Sequence, residues 1–346
     1  MAANEFIKDT EVRRVLRELR RYIATQQIIF SDIIDDEGHQ YVDLVMEGGG
    51  LLGIALVGYT YVLEEMGIRY LGIGGTSAGS INALLLAALG VPAEAKSEKI
   101  AELLANMPID DFRDGKKDVN AFIEALLAGF GLGKLFWRFL PVIDNLGELS
   151  RNLGANPGQQ IVDYFTGVLR EAGVETNRDL RARLQDLPPG LQTREGVRLT
   201  VEGAGSKLAI VAADISTETK VEFPRMAPMY WENADLVSPV LFLRASMSIP
   251  LFFYPFQVKN IPLDDRARKQ WDVLAGYSGE PPSTIFFVDG GTMSNFPIDL
   301  FHTPNTVPLA PTFGVKLGSD QRKKQSIGGF QELGLAIFNA ARHTLD

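Results

Sequence analysis

Hydrophobic positions fall in short runs separated by glycines and polar turns, and the alternation is clearest between residues 41 and 90. Residues 41–46 form a brief apolar run that predicts a strand, and Gly48-Gly49-Gly50 follow at once. From Gly53 onward Leu56, Val57, Tyr59, Tyr61, Leu63 and Met66 repeat at helical spacing, and Gly67 closes the helix. Residues 70–73 predict a second strand, which runs into Gly75-Thr76-Ser77-Ala78-Gly79. Gly-x-Ser-x-Gly between a strand and a helix is the pattern of a nucleophile elbow, with serine on a strained turn. Both glycines are needed there because neighbouring backbone leaves no room for a Cβ. Residues 80–89 are apolar nearly all round and predict a buried helix.

The same reading extends along the chain. Over residues 10–24, Val12, Val15, Leu16, Leu19 and Ile23 share one helical face, and Arg13, Arg14, Arg17, Arg20 and Arg21 crowd the rest. Such a helix either packs on the main domain with a solvated arginine face or touches anionic lipid headgroups. A long helical region, broken by glycines and prolines, runs to about residue 187. Its 122–143 segment is rich in Phe and Leu and reads as core packing or as a mobile apolar cap over a greasy site. Phe136 and Trp137 in that segment are candidate substrate contacts. Strands resume at 208–213 and 219–223, a buried helix covers 238–248 before Pro250, and a strand at 285–288 ends in Asp289-Gly290-Gly291. A last strand is expected at 313–315 and a closing helix at 328–345. Short apolar strands alternating with helices predict an α/β fold whose mainly parallel sheet is covered on both faces. The expected division is an N-terminal helical extension (1–38), a catalytic domain (39–320, with a helical insert over about 107–187) and a C-terminal helix (321–346).

Composition narrows the function classes. The chain has 346 residues, 46% hydrophobic and 22% charged, enough for a large core. A net charge of −9 argues against broad attraction to nucleic acid, so none is expected as a partner. With no cysteines, disulfides, thiol nucleophiles and thiolate metal sites are excluded. Asp110-Asp111 and their neighbours lack calcium-loop spacing, and neither a metal nor a cofactor is expected. No secretory signal and no apolar run of spanning length is visible, so a soluble, cytoplasmic protein is expected, with membrane contact at most peripheral and transient.

Two uses compete for the glycine loop. Gly48-x-Gly50-x-x-Gly53 matches a dinucleotide fingerprint, which requires an acidic residue at the end of the second strand. That strand ends Gly72-Ile73-Gly74-Gly75, with no carboxylate, and no Gly-Lys-Ser/Thr follows for a phosphate loop. The other use is an oxyanion hole, in which successive glycines bare their N–H groups near a helix N-terminus. A nucleophilic Ser77 also needs a base. The histidines are His39, His302 and His343; His302 satisfies the order Ser…Asp…His, and Asp289 itself, at a strand end, is the other candidate.

Together EGGGLLG (47–53), GTSAGS (75–80) and DGG (289–291) resemble the patatin-like phospholipase family, which shares its core with cytosolic phospholipase A2. RASMSIPLFF (244–253) and DGGTMSNFPI (289–298) are similar to the family as well. The resemblance implies a three-layer α/β/α fold and a Ser–Asp dyad without histidine. It implies Ser77 as nucleophile, Asp289 as base, and Gly49 and Gly50, with Gly48 or Leu51 adjoining, as oxyanion donors. The family loop usually carries Lys or Arg where this chain has Leu52, a position that bears on headgroup preference. The implied activity is hydrolysis of phospholipid or lysophospholipid esters. The alternatives are a small-ester carboxylesterase with a Ser–Asp–His triad and an inactive module that binds lipid or an unspecified protein partner.

Overall fold

A computed structural model describes residues 9–50, 53–108, 153–302 and 305–318. The first helix, α1 (Thr10–Gln26), is capped by the Asp9 carboxylate, which accepts the N–H groups of Glu11 and Val12. It leads to β1 (Ile33–Ile34), β2 (Gln40–Met46), α2 (Gly53–Glu65), β3 (Ile68–Thr76), α3 (Ala78–Ala88) and α4 (Ser97–Ala105). After residue 153 come β4 (Gly154–Asn156), α5 (Gln159–Glu171), α6 (Asn177–Gln185), β5 (Gln192–Thr193) and the single turn α7 (Val201–Ala204). The hairpin β6 (Lys207–Asp214) and β7 (Thr219–Phe223) precedes α8 (Pro239–Ser246), β8 (Leu251–Phe253), β9 (Phe256–Lys259), α9 (Asp265–Ala275), β10 (Thr284–Asp289) and β11 (Thr312–Val315).

The centre of the main sheet is parallel: β11 pairs with β2, β2 with β3 and β3 with β6. Strands β1, β5, β7, β9 and β10 join it antiparallel. Helices flank the sheet in the expected α/β/α arrangement. All nine residues of β3 are buried, as a strand covered on both faces requires. So is every residue of α3, which matches its apolar circumference.

One apolar cluster takes Val42, Leu44 and Met46 from β2, Ile210 and Ala212 from β6, and most of α3. Within the stretch expected as an insert, α5 and α6 add Phe165, Leu169, Leu180 and Leu184 to this same core. The 122–143 segment, with Phe136 and Trp137, lies outside the described residues, as does the expected closing helix. A smaller cluster of Ile33, Tyr41, Leu71, Leu191, Ala204 and Ala310 lines the opposite face.

The register of β6 places the strand ends that matter. Its residues Ile210–Asp214 pair with β7 along one edge. Strand β3 (Thr76 opposite Val211) and β10 (Asp289 opposite Ala212) must therefore both lie along the other edge. The two strands run toward each other and stop at consecutive residues of β6, one step of about 3.3 Å apart.

Candidate active site

Glu47 follows the end of strand β2, and the glycine loop comes next. The Gly48 N–H donates to the Asn295 carbonyl (3.0 Å). A Cβ on Gly48 would stand 3.1 Å from the Ser77 Cβ and 2.7 Å from Asn295 Oδ1, so the loop lies directly against the serine. Glu47 is buried; its Oε1 accepts from Asn295 Nδ2 (3.0 Å) and its Oε2 from the Leu317 N–H. Asn295 Nδ2 also donates to the Gly48 carbonyl (3.2 Å), so Asn295 ties the glycine loop to the segment that follows Asp289. Among the described residues no acceptor takes the N–H of Gly49 or of Gly50.

Ser77 stands between β3 and α3 with φ 51° and ψ −119°, a conformation that L residues rarely adopt. Sterics enforce the flanking glycines: a Cβ on Gly75 would lie 2.4 Å from the Gly79 carbonyl, and one on Gly79 would lie 2.3 Å from the Met46 carbonyl oxygen. The Ser77 carbonyl accepts Ser80 N–H (2.9 Å) and Ser80 Oγ–H (2.5 Å), and its N–H donates to Ser246 Oγ (2.9 Å). Ser77 occupies the N-cap position of α3, yet its side chain makes no capping bond. It is 3% exposed.

Asp289 closes β10 and is buried. Its Oδ1 accepts the Gly291 N–H (2.8 Å), and its own N–H donates to the Ser248 carbonyl (2.8 Å). Gly290 is forced by close approach, since a Cβ there would lie 2.1 Å from the Val211 carbonyl oxygen. Thr76 Oγ1 donates to the Ser294 carbonyl (3.0 Å), a second link between the serine turn and the aspartate turn.

The histidines go elsewhere. His302 is exposed, and its Nε2 contacts Thr312 Oγ1 (3.3 Å). Thr312 pairs with Asp43, three residues before the end of β2, on the order of 10 Å below the level of the glycine loop. His39 lies in a separate network with Asp35 (Nδ1 to Oδ2, 3.0 Å) and Arg69 (Nη2 to Nε2, 3.2 Å). His343 and Leu51 lie outside the described residues, as does Leu52. Among the described residues no group of three or more acidic or histidine side chains is placed to hold a metal.

Sequence reasoning overlooked Ser246, Ser248, Glu47 and Asn295. The signal was present, since all four lie in the motif stretches 47–53, 244–253 and 289–298. Their roles run through backbone contacts between distant segments, and spacing along the chain carries no trace of those.

The chain is similar to the uncharacterized protein YqhO of Bacillus subtilis (strain 168), 28% identical over 309 residues that cover 88% of this chain and 82% of that protein. The sequence description of the patatin-like phospholipases matches residues 44–302, from the first parallel strand through the aspartate turn. With more than half of its length matched in one block that holds the glycine loop, the serine turn and the aspartate turn, the chain belongs to the patatin-like phospholipase family, a family of lipid acyl hydrolases.

Proposed function

We propose that this protein hydrolyses the carboxylic esters of phospholipids or lysophospholipids, with Ser77 as nucleophile and Asp289 as base. The observation that supports the reading is the meeting of β3 and β10 on one edge of β6, where the strand leading into Ser77 and the strand closed by Asp289 end opposite consecutive residues, Val211 and Ala212. Asp289 takes the Ser77 proton as Oγ attacks the ester carbonyl carbon. The N–H groups of Gly49 and Gly50, with Leu51 adjoining, receive the charge that develops on the carbonyl oxygen. Gly48 drops out of that set because Asn295 already accepts its N–H. The acyl–oxygen bond breaks, the lyso-lipid or alcohol leaves with the proton from Asp289, and the acyl group stays on Ser77. Water then loses a proton to Asp289 as it attacks the acyl-enzyme, and the fatty acid departs as Ser77 recovers its hydrogen.

An aspartate is a weak base in water, and the burial of both residues supports its use here by excluding competing solvent. The lipid substrate reaches the protein from a membrane surface that the enzyme touches transiently. A fluorophosphonate probe is expected to label Ser77, and lipid-product mass spectrometry is expected to show fatty acid and lyso-lipid released by the wild type. Ser77→Ala and Asp289→Asn are expected to lower turnover by at least about 10³-fold, with His302→Gln near wild type. Full activity of Asp289→Asn together with loss in His302→Gln would reject the dyad in favour of a triad.

A further inference from the structure

The backbone of the proposed nucleophile is held from outside its own strand and helix. The Ser77 N–H donates to the hydroxyl of Ser246, which is fully buried at the C-terminal end of α8 and lies 169 positions further along the chain. Two residues on, the carbonyl of Ser248 accepts the Asp289 N–H. The segment is itself anchored. Arg244 Nη1 donates to Ser248 Oγ (2.6 Å), Ser248 Oγ–H returns to the Arg244 carbonyl (2.8 Å), and Arg244 Nη2 reaches the carbonyls of Pro157 (2.7 Å) and Tyr254 (2.8 Å). Residues 244–248 therefore grip the main chain of both Ser77 and Asp289.

We infer that Ser246 is a positioning residue for ester hydrolysis: its hydroxyl holds the Ser77 backbone in the strained turn conformation between β3 and α3 from which Oγ reacts. The inference rests on the assignment of Ser77 and Asp289 above. A φ of 51° with a ψ of −119° persists only where the surroundings over-determine it. Without the Ser246 hydroxyl the buried Ser77 N–H loses its acceptor, and the peptide relaxes toward another partner. Oγ then shifts relative to both Asp289 and the glycine N–H groups. Ser246 is fully buried, so its loss acts on the reacting geometry and leaves lipid binding alone. The same bond keeps the Ser77 N–H occupied, so the oxyanion is left to the glycine loop.

The test compares wild type with Ser246→Ala, Ser246→Cys and Ser246→Thr, each checked by thermal unfolding and assayed well below its own Tm. Ser246→Ala is expected to slow fluorophosphonate labelling and kcat together by about 10-fold or more, with KM changed by less than about twofold. Ser246→Thr, which keeps the hydroxyl, is expected to recover both rates. Ser246→Cys, close in shape but a weak acceptor, carries the comparison if the alanine variant does not fold. A folded alanine or cysteine variant that labels at the wild-type rate, or one whose defect lies in KM, overturns the inference. A wild type that neither labels nor hydrolyses lipid overturns the dyad assignment instead, and the two failures are told apart by that control.

Discussion

At the scale of single residues, the site is built from backbone that has nowhere else to go. Ser77 is strained, buried and bonded through both its N–H and its carbonyl. The glycines around it are steric necessities, and Gly290 is the sharpest case. A methyl group there meets the Val211 carbonyl oxygen at 2.1 Å, and that oxygen belongs to a central strand. Gly290→Ala is expected to destabilise the protein by about 1–3 kcal/mol and to lower kcat by more than this loss of folded protein explains. Calorimetry paired with turnover on the soluble fraction checks it. Gly291→Ala meets side-chain atoms, those of Asn295 and Asp289, and is expected to be the milder change.

Among the elements, the seam between β2 and β3 holds a second feature of consequence. The pairing skips at Asp43, between Val42 and Leu44, and the carboxylate turns to accept the Gly72 N–H (2.6 Å). Burial pushes its pKa up to about 6, against the pull of the Gly72 N–H, Lys207 and His302. A carboxyl raised above its unfolded value contributes stability at low pH and loses it as pH rises through the folded pKa. At pH 8 the ionised group therefore costs about 1–3 kcal/mol. Asp43→Asn keeps an acceptor for Gly72 and carries no charge. It is expected to raise Tm at pH 8, with the gain shrinking as pH falls below about 6. A gain that grows on acidification would reverse the assigned sign. The same scale explains the meeting of the two strand ends, since β3 and β10 have opposite directions and only the register along β6 makes their ends coincide.

For the whole molecule, α1 is loosely attached, with one of its 17 residues buried. Leu16 is its buried contact, Val12 and Ile23 are half-buried, and Arg20 donates to the Glu65 carbonyl and pairs with its carboxylate. Val15, Leu19 and Tyr22 remain exposed. Leu16→Ala is expected to ease detachment of the helix by about 2 kcal/mol, seen as a roughly 30-fold faster tryptic cut at its arginines with little change in the Tm of the body. Much of this architecture was legible in the chain. The apolar runs and glycine breaks located β2, α2, β3, α3, the β6–β7 hairpin and the buried α8, because periodicity and turn chemistry are local properties. The three motif stretches and the acyl-hydrolase family were legible for the same reason, since motifs are spacings. The chain could not say that β10 enters antiparallel, that His302 lies below the glycine loop, that Asn295 occupies the Gly48 N–H, or that Ser246 holds the Ser77 backbone. Each rests on a pairing of residues scores of positions or more apart, His302 through the pairing of Thr312 with Asp43, and such pairings are decided by strand register and close packing, which exist only once the chain has folded.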